Sequence, residues 1–344
     1  MTRPSTRTLQ QRLSDGIVLG AEGYVFELER RGYIKAGPFV PEVLLDAPEA
    51  VLQLHREFLR AGSEVMVALT YYAHREKLKV VGRDGDLEAM NRSALRMANQ
   101  VAAEGGALVA ANICNTWSYD PEDHDRTSKI VRAQYEEQLG WAVEEGCDFV
   151  IAETNDYVGE ALIGLEVCQS LGLPAMVTFA SVHPEHTYDG YDYVTACKTL
   201  ADAGATIVGL NCSRGPATME PLLREIRAAV DCAVAAQPVP FRTDAKVPAF
   251  ESLETREGGR AFPIQLEAHS CTRFEMADFA RTAKDIGIDY VGICCGGAPH
   301  HVRAMAEALG RETPASRYSP AIEFHPVLGR SNEHAEMQGW VAQA

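Results

Sequence analysis

The stretch YVGICCGGAPHH, Tyr290–His301, decides the fold, because its apolar run stops at two adjacent cysteines and a pair of glycines. Neighbouring cysteines rarely bond to each other, since the ring they would close is strained. Packing could be met by Val or Ala. The pair makes better sense at the end of a buried strand, with both sulfurs turned toward something that binds thiolates. Seven more β-rich apolar runs precede this one: GIVLG (16–20), EVMVALTYY (64–72), ALVAANIC (107–114), DFVIAET (148–154), PAMVTFAS (174–181), TIVGLNC (206–212) and PVPFRTDA (238–245). They are apolar on both faces, as parallel strands covered by helices must be. Between them lie amphipathic stretches such as EAVLQLHREFLRAG, EEQLGWAVEEG, YVTACKTLADAG and MADFARTAKDIG, which end in the glycine that closes many helices. Thr272 and Glu275 have capping-box spacing before the last of these.

Eight strands, each followed by a crossover, predict an α/β fold: a (β/α)8 TIM barrel in a single domain over residues 13–312, with a tail over 313–344. A doubly wound open sheet is the alternative. It usually carries GxGxxG after its first strand, and none follows Gly20. The polar stretch Lys246–Arg260 is placed on the barrel rim. A formal charge of −16 argues against nucleic acid and against an anionic membrane surface as partners. The N-terminus has no apolar core of a signal peptide, and no apolar run reaches the length of a membrane span, so a cytoplasmic chain is expected. Its nine cysteines follow no framework spacing, and reduced thiols are expected, with Cys168 and Cys197 as small core residues.

In a barrel, the C-terminal strand ends carry the chemistry. Cys212 closes the sixth run, and Cys294 and Cys295 close the eighth. Three thiolates converging there would form a soft site suited to Zn2+, with one position open for a substrate. The other reading is that Cys212 and the pair never meet and simply pack.

GLNC at 209–212 and GICCG at 292–296 resemble the two zinc-ligand motifs of the homocysteine S-methyltransferase family. Residues 29–66 closely resemble its betaine–homocysteine members, and the similarity runs from about Leu13 to Leu309. The resemblance implies zinc on Cys212, Cys294 and Cys295. It also implies methyl transfer from a betaine-like onium donor to a thiol acceptor, by resemblance homocysteine giving methionine. A thiol bound to zinc is deprotonated, whereas a free thiol is mostly protonated at neutral pH. A methylated cation has no donor at its charged centre, so aromatic faces are its usual seat. The resemblance gives Tyr71, Tyr72 and Phe39 that role; betaine enzymes carry Trp where this chain has Phe39. Tyr188, Tyr191 and Tyr193 are further aromatic candidates, and ordinary packing is the alternative for each. Tyr71 and Tyr72 can face one site together only if their strand has already ended. Glu153 matches a family acid that contacts the acceptor's amino group, and Asn211 and Ile293 within the two motifs are counted among the substrate contacts.

Two departures stand out. The family's first strand ends in Asp-Gly-Gly, whereas this chain reads Ala21-Glu22-Gly23, and Ile293 stands where the family has glycine before the cysteine pair. Both add bulk near the acceptor's seat, so weak homocysteine use with zinc retained is expected, and Glu22 is carried as the shifted acceptor contact. The alternatives are a family member with a changed acceptor or donor, and a zinc-binding barrel without turnover. The chain stops near the point where animal betaine enzymes begin an extension used in assembly; a homo-oligomer is expected, without their tetramer being implied.

Overall fold

The computed structural model describes residues 7–325 and Leu328. The expected tail over 313–344 therefore lies mostly outside the described residues. Eight parallel strands form one sheet: β1 (Val18–Leu19), β2 (Val65–Val67), β3 (Leu108–Cys114), β4 (Phe149–Asn155), β5 (Ala175–Ala180), β6 (Ile207–Asn211), β7 (Ala233–Gln237) and β8 (Tyr290–Val291). Their order, β1-β8-β7-β6-β5-β4-β3-β2, is that of a nearly closed TIM barrel. At the remaining seam, the Glu64 amide donates to the Leu19 carbonyl at 2.7 Å, and the Glu64 carboxylate accepts the Leu19 amide at 2.9 Å. One glutamate thus stands in for the missing strand ladder.

Helices fill every crossover. Pro48–Ala61, Leu87–Gly105, His124–Glu145, Val158–Ser170, Tyr193–Asp202, Pro216–Ala229, Arg273–Ile286 and Pro299–Ala308 are the helices that follow strands one to eight in turn. The expected capping box forms: the Thr272 hydroxyl accepts the Glu275 amide, and the Glu275 carboxylate accepts the Thr272 amide. Every residue of β3 is buried, which explains why its sequence is apolar but for Asn112. Cys168 and Cys197 are fully buried core residues, as expected.

The seventh strand is a correction. It is AVAAQ at 233–237, not PVPFRTDA at 238–245. Alanine has low strand propensity, and AVAAQ reads as the continuation of the preceding helix; the prolines of PVPF cannot donate to a ladder. Small residues are needed there because β6 and β7 approach closely: a Cβ on Gly209 would lie 2.0 Å from the Ala235 carbonyl oxygen. Residues 238–241 leave the barrel as a loop that pins the site. The Pro238 carbonyl accepts the Cys294 amide at 2.9 Å.

Candidate metal centre and its two chambers

The two cysteine motifs meet. The Sγ atoms of Cys212, Cys294 and Cys295 all lie within 4.8 Å of one another, with Cys212 and Cys295 3.6 Å apart. All nine cysteines are free thiols. Four-coordinate zinc with Zn–S near 2.3 Å requires sulfur pairs about 3.8 Å apart, so this donor set fits a tetrahedral soft cation with one open position. The thiols crowd one another: Cys294 is pushed well above its ordinary pKa, first by its contact with the Cys212 sulfur and then by burial. A divalent cation reverses that preference. Cys212 and Ser213 adopt left-handed φ of 58° and 57°, which turns the chain sharply as it leaves β6. Gly23, at φ 90°, lets the turn after β1 pass the cysteine loop, where a Cβ would lie 2.7 Å from the Cys294 carbonyl oxygen.

Two cavities open from the triad. The inner one is lined by Glu22, Asn112, Glu153 and Tyr71 together with all three cysteines. The Asn112 amide donates to one Glu153 oxygen at 2.7 Å and the Asn211 amide to the other at 3.1 Å. Asn211 is itself fixed by the Thr178 hydroxyl, which donates to its Oδ1 at 2.8 Å. It therefore holds Glu153 and does not line either cavity. Glu22 reaches the site: carboxylate oxygens of Glu22 and Glu153 and the Cys294 sulfur lie within 4.8 Å of one another. Neither Glu22 oxygen has a hydrogen-bond partner. Burial first, and the Glu153 charge second, push the Glu22 carboxyl well above the carboxylate range, and burial also raises Glu153. Two buried acids this close resist being ionised together.

The outer cavity shares Val25, Tyr71, Thr154, Cys212 and Cys295 with the inner one. Its walls are aromatic, with Phe39 stacked on Phe26 at 5.2 Å and Tyr71 against Tyr72 at 4.2 Å between ring centroids. β2 ends at Val67, so Tyr71 and Tyr72 lie in the following turn, with Tyr72 at φ 62°, and the condition for their converging is met. Tyr188 lines this cavity. Tyr193 does not; it is buried and its hydroxyl donates to the His183 and His186 carbonyls. Tyr191 is exposed outside it. Ile293 is fully buried beneath Gly297 and lines neither cavity. Both premises for weak homocysteine use, an unreaching Glu22 and a crowding Ile293, are therefore absent from the structure.

A family description for homocysteine S-methyltransferase matches residues 19–309. The chain belongs to the homocysteine S-methyltransferase family. Betaine–homocysteine S-methyltransferase 1 of Danio rerio is 38% identical over 317 residues, covering 90% of this chain and 77% of that protein. S-methylmethionine–homocysteine S-methyltransferase BHMT2 of Rattus norvegicus is 36% identical over 331 residues, covering 94% and 86%. Among solved structures, the homocysteine methyltransferase MmuM of Escherichia coli in its metallated form matches with a TM-score of 0.67 at 19% identity, covering 85% of this chain and 96% of that one, a likeness of fold. This family member is an S-methyltransferase.

Sequence reasoning missed several residues of this homocysteine S-methyltransferase family site. Asn112 sits inside an all-buried strand, where a polar residue calls for a partner, and that was the available signal. Trp117, Phe250 and Phe262 come from loops with no periodicity to read. The Lys77 ammonium lies over the Tyr72 and Trp117 rings at 4.1 and 4.4 Å from their centroids, although helical charge patterning would place a lysine in solvent. No helix among the described residues is long and apolar enough to cross a membrane.

Proposed function

We propose that this chain is a zinc-dependent S-methyltransferase that moves a methyl group from a betaine-like onium donor to homocysteine, giving methionine. One observation carries the reading: an acidic chamber and an aromatic chamber share a wall that contains Cys212 and Cys295. The zebrafish and rat relatives, named for betaine or S-methylmethionine as donor and homocysteine as acceptor, support it.

Cys212, Cys294 and Cys295 would hold the zinc, which supplies thiol activation by keeping the acceptor sulfur deprotonated at neutral pH. The acceptor's ammonium seats between Glu22 and Glu153, where its charge favours ionisation of both acids. Asn112 and Asn211 keep both Glu153 oxygens aimed, so that little order is lost on binding. Across the shared wall, Tyr71 and the Phe26–Phe39 pair present π-faces to the methylated cation. The methyl carbon bonds to the acceptor sulfur as its bond to the donor nitrogen or sulfur breaks. That electron pair stays on the leaving atom, which departs neutral, so no general acid is needed; the acceptor's thiol proton goes to solvent. The free thiols suit a reducing compartment, and we place the enzyme in the cytoplasm on that ground.

The test is methionine formation by zinc-loaded protein from homocysteine and a panel of betaines and methylsulfonium donors, followed by mass spectrometry. Turnover with at least one onium donor, lost on chelation and restored by zinc, is expected. Zinc binding without methionine from any donor would leave a barrel that binds and does not transfer.

A further inference from the structure

The two inner acids are held unequally. Both Glu153 oxygens accept buried amides, whereas Glu22, 4% exposed, has no hydrogen-bond partner on either oxygen. Beside it stands Gln237, the last residue of β7 and fully buried, whose Nε2 and Oε1 also lack partners. A buried polar group without a partner is costly, and here two complementary ones are neighbours. Burial first, and then Glu153, raise the Glu22 carboxyl, and the Gln237 amide opposes them. The rest of Gln237 is fixed. Its carbonyl accepts the Cys212 amide at 3.0 Å, which ties it to the triad. Its side chain crosses Gly292, where a Cβ would lie 3.1 Å from the Gln237 Cγ. Gln237 lines neither chamber, so its effect on a substrate has to pass through Glu22.

We propose that Gln237 is a positioning residue: its Nε2 donates to one Glu22 oxygen while the acceptor's ammonium holds the other, aiming Glu22 as the asparagines aim Glu153. The inference rests on the inner chamber being the acceptor's seat. A carboxylate only accepts, so the amide end turned to it is Nε2. The arrangement answers the shifted acid of this chain. Glu22 stands just beyond β1, on a long side chain with rotamer freedom to lose. Ordering it only when the acceptor arrives would weaken binding. Gln237 belongs to a strand, and its backbone is set in register opposite Asn211 of β6. Its amide carries the order of the barrel to a residue of the turn.

The experiment compares homocysteine with 4-mercaptobutyrate, which lacks the ammonium. Binding of each to the zinc-loaded full chain is measured by calorimetry, which needs no turnover. The parent should bind homocysteine about tenfold tighter or more, the range of one charge-assisted contact. Gln237→Met keeps the volume over Gly292 and removes the amide. With zinc content and melting checked, it should shrink the ratio to within about threefold. Gln237→Asn, which withdraws the amide by one methylene, should fall between the two. In a Glu22→Gln background, Gln237→Met should change the ratio by less than about twofold, because the two side chains act as a unit. In turnover the change should fall on the acceptor's KM more than on kcat. An unchanged ratio in Gln237→Met, equal weakening of both thiols, or a further drop in the Glu22→Gln background would overturn the role and leave the acceptor's seat standing. Equal binding of both thiols by the parent, or binding of neither, would overturn the seat and the inference with it. The expected ratios without methionine from any onium donor would count against methyl transfer and leave the role of Gln237 in place.

Discussion

The inner and outer chambers are built on different backbones. Asn112 and Glu153 of the inner chamber project from strands and Glu22 from just beyond one, and both Glu153 oxygens are set by buried amides. The outer chamber is made mostly of loops, and it holds all six non-glycine residues with positive φ among the described residues: Phe39, Tyr72, Trp117, Thr154, Cys212 and Ser213. Each left-handed residue costs about 1–2 kcal/mol, and such strain persists only where the surroundings enforce it. The inner chamber is thus a product of the barrel. The outer chamber is held at a cost in backbone energy, which marks it as the part shaped for a particular ligand.

The triad joins the chambers, and breaking it should have the largest effect. Cys212→Ala should lower zinc affinity by more than about a hundredfold, beyond what loss of a supporting contact costs, and bring methyl transfer to background. Zinc retained at one equivalent through chelator competition would remove Cys212 from the site. Next in size are the inner acids. Glu22→Gln and Glu153→Gln should each raise the acceptor's KM by roughly 10- to 150-fold, the worth of a charge-assisted contact of about 1.5–3 kcal/mol, with the donor's KM little changed. A normal acceptor KM for Glu22→Gln would mean that its carboxylate, though it reaches the chamber, does not touch the ammonium.

The two chambers also differ in how far the sequence disclosed them. The triad was legible because GLNC and GICCG resemble the family's zinc-ligand motifs; strand ends and barrel order bring the sixth and eighth strands to one side of the mouth but left plain packing open. The inner acids were legible in part. Glu22 looked displaced by one residue, and only the turn through Gly23 shows that its carboxylate still arrives beside Glu153. Ile293 looked obstructive because a sequence names a residue without saying which way it points, and here it packs beneath Gly297. The outer chamber was least legible. Left-handed residues at Trp117 and Thr154 re-aim side chains against every periodic rule, and Phe250 reaches the wall from the stretch that reads as polar rim and Phe262 from just beyond it. The same weakness misplaced the seventh strand, where β6 dictates small residues and local propensity points elsewhere.

The aromatic side of the outer chamber can be sharpened at Phe39. Phe39→Ala should weaken donor binding by about 0.5–2 kcal/mol, roughly 2- to 30-fold, and Phe39→Trp should recover or exceed the parent. Donor titrations followed by tryptophan fluorescence or calorimetry would read this. A Trp variant that binds as poorly as Ala would show that the ring packs against Phe26 without facing the cation.

The smallest expected effect separates the acids of the two chambers by pH. Asp156 sits at about 6, raised chiefly by burial and partly relieved by the Asn115 amide. Its carboxyl therefore holds a proton more tightly in the folded chain than in the unfolded one, where it titrates near the ordinary 3.8. Below about pH 4 both states are protonated and burial costs nothing. As pH rises toward 6 the unfolded chain ionises first, so folding loses stability across that window, and above it the loss is complete. Asp156→Asn should consequently be more stable than the parent at pH 8, by about 1–2 kcal/mol once partial exposure is allowed for, with the gap closing near pH 4. Urea midpoints at the two pH values measure it. A stability gap that stays constant from pH 4 to 8 would mean that Asp156 ionises as a solvated surface acid does, so that burial does not set its hold on the proton.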